Sequence, residues 1–289
     1  MRRAASPVVS FAGAVLVLAG CGAPAPAASG SPPAPTGVAG PVVPPVPGIA
    51  AQAVRLRTDA AVGGQVQVRL TDTGTAPFTV TAVAIDSPGF APLPATAVDT
   101  TYRPGQTIDL PTPFGAVDCA AAADPAAARL TVARAGGVPQ ELRVPLAGGT
   151  LAQVHGEECA VAGVSAVVDI VLRDLTPAPD GQSLTGTVLL SRRTGDHPVE
   201  VLALGRSVQL EPEVGRHLPA TLRPGDDVLR LPLTITPASC DPHVLAETKK
   251  PFVFPLSVSV AGADPVPVDL PVDDAQKAML QHLVDRVCG

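Results

Sequence analysis

Five cysteines and five histidines are the side chains here best suited to chemistry, and two short stretches bring the two types together. Cys240, Asp241 and His243 share the stretch "SCDPH", and His155 lies one helical turn before Cys159 in "HGEEC". Thiolate and imidazole at such spacing can ligate zinc or a similar metal, and a thiol beside a histidine can serve redox or nucleophilic chemistry. His282 lies near Cys288 in the same way. Each group also has a scaffolding role. Asp241 followed by Pro242 reads as a helix start, because Asp caps free amides and proline fits the first helical position, where no N–H is needed. Asp124-Pro125, shortly after Cys119, is expected to repeat the device in looser form. The remaining polar groups of the first stretch, His243, Glu247, Lys249 and Lys250, form a candidate binding site.

Other chemistries lack their motifs. There is no Gly-x-Ser-x-Gly elbow, no Ser-x-x-Lys, no His-Glu-x-x-His and no glycine-rich phosphate loop. Asp226-Asp227 and Asp273-Asp274 are adjacent acids, but turn and capping roles suffice for them. A net charge of -6 argues against nucleic acid as partner. No catalytic residue, metal or cofactor is assigned, and a non-enzyme is expected. The alternative is a metal-binding or redox protein using Cys and His near 240 or 155, in which the metal would compete with disulfides for the same sulfurs.

The chain opens with Arg2 and Arg3, an apolar run from Val8 to Ala19, and then small residues, the order of a secretory signal over residues 1–20. Leu18-Ala19-Gly20-Cys21 resembles the lipobox of bacterial lipoproteins. That resemblance implies a thioether lipid and palmitate on Cys21, cleavage before it, and a protein held by lipid at the extracytoplasmic face of the cell membrane. Residues 21–50 are rich in Pro, Ala and Gly and are expected to form a disordered tether, reaching on the order of 90 Å if extended. Asparagine is absent and lysine occurs only at 249, 250 and 277, a bias typical of a GC-rich genome. With the lipobox and the stretch "CDPHVLAETKK", the chain resembles uncharacterised actinobacterial cell-envelope lipoproteins. The resemblance implies an unknown envelope protein or cell-wall component as partner and carries no activity, so a binding, adhesion or envelope-assembly module is expected.

An internal repeat organises the remainder. "YRPGQTIDLPTPFGAVDC" (102–119) is echoed by "LRPGDDVLRLPLTITPASC" (222–240), and "APFTVTAVAID" (76–86) by "HPVEVLALGRS" (197–207). Arg103 and Arg223 are 120 positions apart, Pro77 and Pro198 121, and Cys119 and Cys240 121. A tandem duplication is expected, with one domain over 51–161 and a second over 162–289. Within each, short runs alternate apolar and polar residues between turns: Val66, Val68 and Leu70 share one face, as do Phe78, Val80, Ala82 and Ala84. The expected fold is all-β: two tandem immunoglobulin-like antiparallel β-sandwiches, each with a disulfide and short helices. Prolines inside "DLPTPF", "RLPLTI" and "VDLPV" are expected on edge strands or bulges.

With Cys21 lipidated, two cysteines remain per repeat. An even number in an exported chain points to disulfides, and duplication selects Cys119 with Cys159 and Cys240 with Cys288. Each bridge would contribute about 4 kcal/mol in the chain-entropy model. Thr150 with Gln153, and Asp273 with Gln276, have capping-box spacing for helices leading to the second cysteine of each pair. The apolar face of the latter helix is expected from Met279, Leu283 and Val287.

Overall fold

The structure is a computed structural model, described from residue 42 to the C-terminus. The expected signal peptide (1–20), the lipidation site Cys21 and most of the tether lie outside the described residues. The tether's end does not. Val43 is buried, Val46 bridges to Ile49, and strand β1 (Ile49–Val54) has begun before residue 51. Apolar valine and isoleucine among the last prolines draw this segment onto the body of the protein.

The fold is mostly β. After β1 come helix α1 (Arg57–Val62) and strands β2 (Gln65–Asp72), β3 (Phe78–Asp86), β4 (Thr96–Tyr102), β5 (Thr107–Pro113), β6 (Ala127–Arg134) and β7 (Gln140–Ala147). Their order is β4-β3-β6-β7-β1-β2-β5. Strand β1 pairs antiparallel with β2 and parallel with β7, joining two antiparallel ribbons into one sheet curled nearly into a barrel. Helix α2 (Thr150–Val167) follows, then β8 (Val168–Pro177), β9 (Leu184–Arg192), β10 (Val199–Leu204), β11 (Leu210–Val214), β12 (Ala220–Leu222) and β13 (Val228–Pro237). Helix α3 (Pro242–Glu247), β14 (Pro255–Val260), β15 (Val266–Asp269) and helix α4 (Asp274–Cys288) complete the chain. These strands form two sheets, β12-β10-β14-β15 and β11-β13-β9-β8. Strand for strand, their order reproduces β4-β3-β6-β7 and β5-β2-β1, with β11 added at one edge.

Alternation places the cores. Val66, Val68 and Leu70 are fully buried in the first cluster, as are Val188, Leu190, Leu231 and Ile235 in the second. The first cluster also holds Tyr102, stacked on Phe78 with ring centroids 5.0 Å apart, and burial pushes its phenol pKa up. In β3 the phase changes midway. A bulge between Val80 and Ala82 turns Ala82 out of the core and brings in Val83 and Ile85. The same bulge falls between Val201 and Ala203 in β10, 121 positions on.

The turns repeat as well. Arg103-Pro104-Gly105 and Arg223-Pro224-Gly225 each place proline before a glycine at positive φ (79° and 81°), the arrangement of a type II turn. A side chain three residues on accepts the arginine's own N–H in both: Gln106 Oε1 at 3.2 Å and Asp226 Oδ2 at 3.2 Å.

The prolines obey the edge rule in one of three places. Strand β5, which carries Pro111 and Pro113, is an edge; Pro271 lies past the end of β15, and β13 lies between β11 and β9. Pro232 is tolerated in β13 because β11 ends beside it. Its carbonyl accepts from Gly215 N (2.8 Å), so the missing N–H faces the end of β11 and removes no bond to β9.

Both disulfides form between the expected partners, Cys119–Cys159 and Cys240–Cys288, with Cα separations of 5.6 and 5.1 Å. The helices differ more from expectation. Asp273 and Gln276 form a reciprocal capping box on α4, with bonds of 2.8 and 2.9 Å. Leu280, Leu283 and Val284 are its most buried residues, flanked by half-buried Met279 and Val287. Thr150 caps nothing. Gly149 is the N-cap of α2, and Gln153 instead donates from its side chain to Glu157 Oε1 (2.8 Å). Nor is α2 short: it runs past residue 161 to Val167 and passes directly into β8. Its Leu151 and Val154 sit in the first core and its Val164 in the second. Asp124-Pro125 starts no helix and leads instead into β6.

Candidate functional site

The helix start at Asp241 forms as its residues dictate. Asp241 Oδ1 accepts from His243 N (2.8 Å), Pro242 occupies the first turn, and Leu245 packs on the second core. The candidate binding residues do not converge. His243, Glu247 and Lys249 are exposed and Lys250 is half-buried, and these four form no ion pair with one another among the described residues. Among the described residues His243 donates only its backbone amide.

His155 is built into the scaffold. Its Nε2 lies 3.0 Å from the Asp118 carbonyl, and its ring meets Phe90 edge-on at 5.5 Å. It therefore holds the loop before Cys119 against α2, one turn from Cys159. His282 is exposed on α4. The four described cysteine sulfurs are committed to disulfides. Among the described residues, no three His, Cys, Asp or Glu side chains gather as a metal cluster would require.

Two clefts bring polar groups together elsewhere. One, of about 670 Å3, lies between α2 and β15. Glu157, Glu158, Asp264 and Asp269 line it, and Arg55 pairs with Glu157. Partial burial opposes ionisation of Glu157, but hydrogen bonds from Gln153 and Arg55, with the Arg55 charge, outweigh it and leave the pKa below its ordinary value.

The other cleft, of about 520 Å3, has the more specific chemistry. Its polar wall comes from three strands. In the β6–β7 register Arg129 stands opposite Arg143, and in the β3–β6 register Ala84 opposes Arg129. Leu130 and Val144, the next residues along, point into the core, so both arginines project from the outer face. Two cationic side chains directly opposite each other repel. Asp86, turned to the same face beyond the β3 bulge, pairs among the described residues with Arg143 alone. Arg129 reaches the Leu93 carbonyl at 3.4 Å and has no carboxylate partner among the described residues. The apolar wall comes from the loop after β3 and the approach to β6: Pro88, Phe90, Pro92 and Pro125. Ser87 also lines the cleft, but its hydroxyl is used, donating to the Ala123 carbonyl and accepting from Gly89 N at 3.3 Å.

None of these cleft residues stands out in the sequence. Asp86, Arg129 and Arg143 are separated by 43 and 14 positions, and only strand pairing makes them neighbours. The sequence signal they do leave is an arginine at an outward position in each of two consecutive strands.

No family model matches the chain, and no curated protein matches it. Several solved structures resemble it distantly. A protein of unknown function from Porphyromonas gingivalis W83 is 14% identical, covering 76% of this chain and 94% of that one, with a TM-score of 0.20. The N-terminal periplasmic domain of ScsB from Proteus mirabilis is 14% identical over 76% and 91%, also at 0.20. The secreted serine protease VesC from Vibrio cholerae is 12% identical over 60% and 42%, at 0.17. At these scores the likenesses say nothing about site or activity.

Proposed function

We propose that the protein is a lipid-anchored, extracytoplasmic and non-enzymatic binding, adhesion or envelope-assembly module, built from two tandem immunoglobulin-like sandwiches. The observation that carries this reading is the repeated strand order, stapled by one disulfide per repeat and bridged by a helix seated in both cores. Such a body presents surfaces at a fixed spacing, which suits holding a partner. Disulfides belong to oxidising compartments, in keeping with export, and the lipobox at Cys21 would supply the anchor. The partner is an envelope protein or cell-wall component, met at the outer face of the membrane.

The metal or redox alternative has less support, because Cys240 and Cys159 would have to leave their disulfides to act as ligands or thiols. Counting thiols on unreduced protein separates the two readings. No free thiol at 119, 159, 240 or 288 is expected, and four free thiols would overturn the stapled module. For the anchor, Cys21→Ala should move the protein from the membrane to the soluble fraction, and retention would count against lipidation. Cross-linking in native envelopes, followed by capture of the full chain, should recover a defined partner.

A further inference from the structure

The geometry points to the cleft over β3, β6 and β7 as a binding site for a monocarboxylate carried on an apolar body, held by the guanidinium of Arg129. Three observations lead there. First, the register forces Arg129 and Arg143 together on one face, where Asp86 pairs with Arg143, and Glu141, two residues along β7, pairs with neither arginine among the described residues. The Arg129 guanidinium is thus left without a carboxylate of its own among the described residues, which one monoanion would supply. Second, Arg129 is half-buried and anchored by one long contact to Leu93 O, so most of its N–H groups remain free toward the cleft. A guanidinium presents parallel donors that match the two oxygens of a carboxylate. Third, Phe90 and the three prolines form an apolar wall, and about 520 Å3 suits a ligand of ring size.

The second half of the molecule shows that the sheet does not need these arginines to form. Strand pairing there sets Pro255 at the position of Arg129, Asp269 at that of Arg143 and Gly205 at that of Ala84. Pro255 lies against Gly205 so closely that an added Cβ would come within 2.8 Å of its ring. The same sheet position is thus closed by proline in one half and left as an arginine-walled cleft in the other. A purely structural role would not call for two opposed cations.

The inference deepens the binding role proposed above and rests on it, but its test does not involve the anchor: membrane release tests lipidation, and ligand titration tests the cleft. The 15N-labelled full chain is titrated in low salt with 3-phenylpropionate and with its neutral amide, following backbone amide shifts. Saturable shifts confined to residues 85–92 and the neighbourhoods of Arg129 and Arg143 are expected for the acid. The amide should bind about tenfold more weakly, as loss of a charge-assisted hydrogen-bonded pair implies. Arg129→Gln should weaken the acid by a similar factor, whereas Arg134→Gln, on the same strand outside the cleft, should leave it unchanged. Equal affinity for acid and amide overturns the proposal without any variant, so a poorly folding Arg129→Gln cannot shelter it. Inorganic phosphate competing as well as the acid would overturn the carboxylate class. A small acid and a peptide C-terminus carry the same chemistry, and a proline-containing tripeptide acid set against its C-terminal amide distinguishes them. Tighter binding of the tripeptide acid assigns the cleft to peptide ends, and tighter binding of phenylpropionate to small acids.

Discussion

The two halves of the molecule share a strand order, a bulge, a turn and a disulfide, and differ in the charges placed on that common frame. At the residue after the central run of β2 and β9, the first half has Asp72 and the second Arg192. Each donates its backbone N–H to the far side of the Arg-Pro-Gly turn, to Gln106 O at 3.0 Å and Asp227 O at 2.8 Å. Their side chains then part. Arg192 donates to four backbone carbonyls, of His197, Leu222, Arg223 and Asp226, at 2.8 to 3.4 Å. Asp72 is buried, with one oxygen on Gly74 N (2.8 Å) and the other unpartnered among the described residues. A second pair departs in the same spirit: Arg69 and Asp109 form a two-bond ion pair at 2.7 Å, where Leu189 faces Arg230 in the other half. The backbone frame tolerates opposite charges because its register comes from apolar alternation and turn geometry, which these side chains do not supply.

The most forceful way to break the comparison is to remove the staples. Replacing Cys119 and Cys159 together by Ala should cost about 4 kcal/mol in urea unfolding, and so should replacing Cys240 and Cys288, because the loops of 40 and 48 residues are alike. A large difference between the two would show that the bridges are not equivalent. Next, the core of the second half is built on leucines, so Leu231→Ala should cost about 3 kcal/mol, against about 2 for Val68→Ala at the heart of the first. Arg192→Met leaves four carbonyls to water and should cost about 1 to 2 kcal/mol, read in the same unfolding curves. Helix caps should discriminate more finely. Asp273→Ala removes a capping box and should cost about 1 kcal/mol, while Thr150→Ala, where no cap exists, should change stability by less than about 0.5.

The smallest effect is in acid. The hydrogen bond from Arg69, reinforced by its charge and opposed by partial burial, holds the Asp109 carboxyl below its ordinary value of 3.8. A carboxyl lowered on folding adds stability that is present above the unfolded pKa and lost as pH falls through the folded one. Acid titration of stability should therefore lose a small component below about pH 4 in Asp109→Asn. The pair is partly solvent-exposed, so screening keeps the component small.

Much of the frame was legible in the sequence because it depends on local rules. Period-two alternation located Val66, Val68 and Leu70. The Arg-Pro-Gly repeats located equivalent turns, and even cysteine arithmetic with a repeat selected the disulfide partners. The failures came where local pattern and tertiary context part. Ala82 alternates like a core residue, but the β3 bulge turns it outward. Pro232 looked like an edge residue, but the shortness of β11 lets it sit inside a sheet. Asp124-Pro125 and Asp241-Pro242 are the same dipeptide, and only the second begins a helix. His243 stood out because it lies near a cysteine in the chain, whereas Arg129, Arg143 and Asp86 left no comparable signal.

The sequence by itself determined what each segment can be: strand or turn, alternating or continuous in polarity, cysteine available for a bridge. Those properties follow from side-chain polarity, backbone restriction and spacing along a few residues. Which outward-facing side chains become neighbours was decided by register and by the path of α2 between two cores. Those depend on how whole sheets pack, so charges far apart in the chain, such as Asp86 and Arg143, met only when the tertiary structure formed.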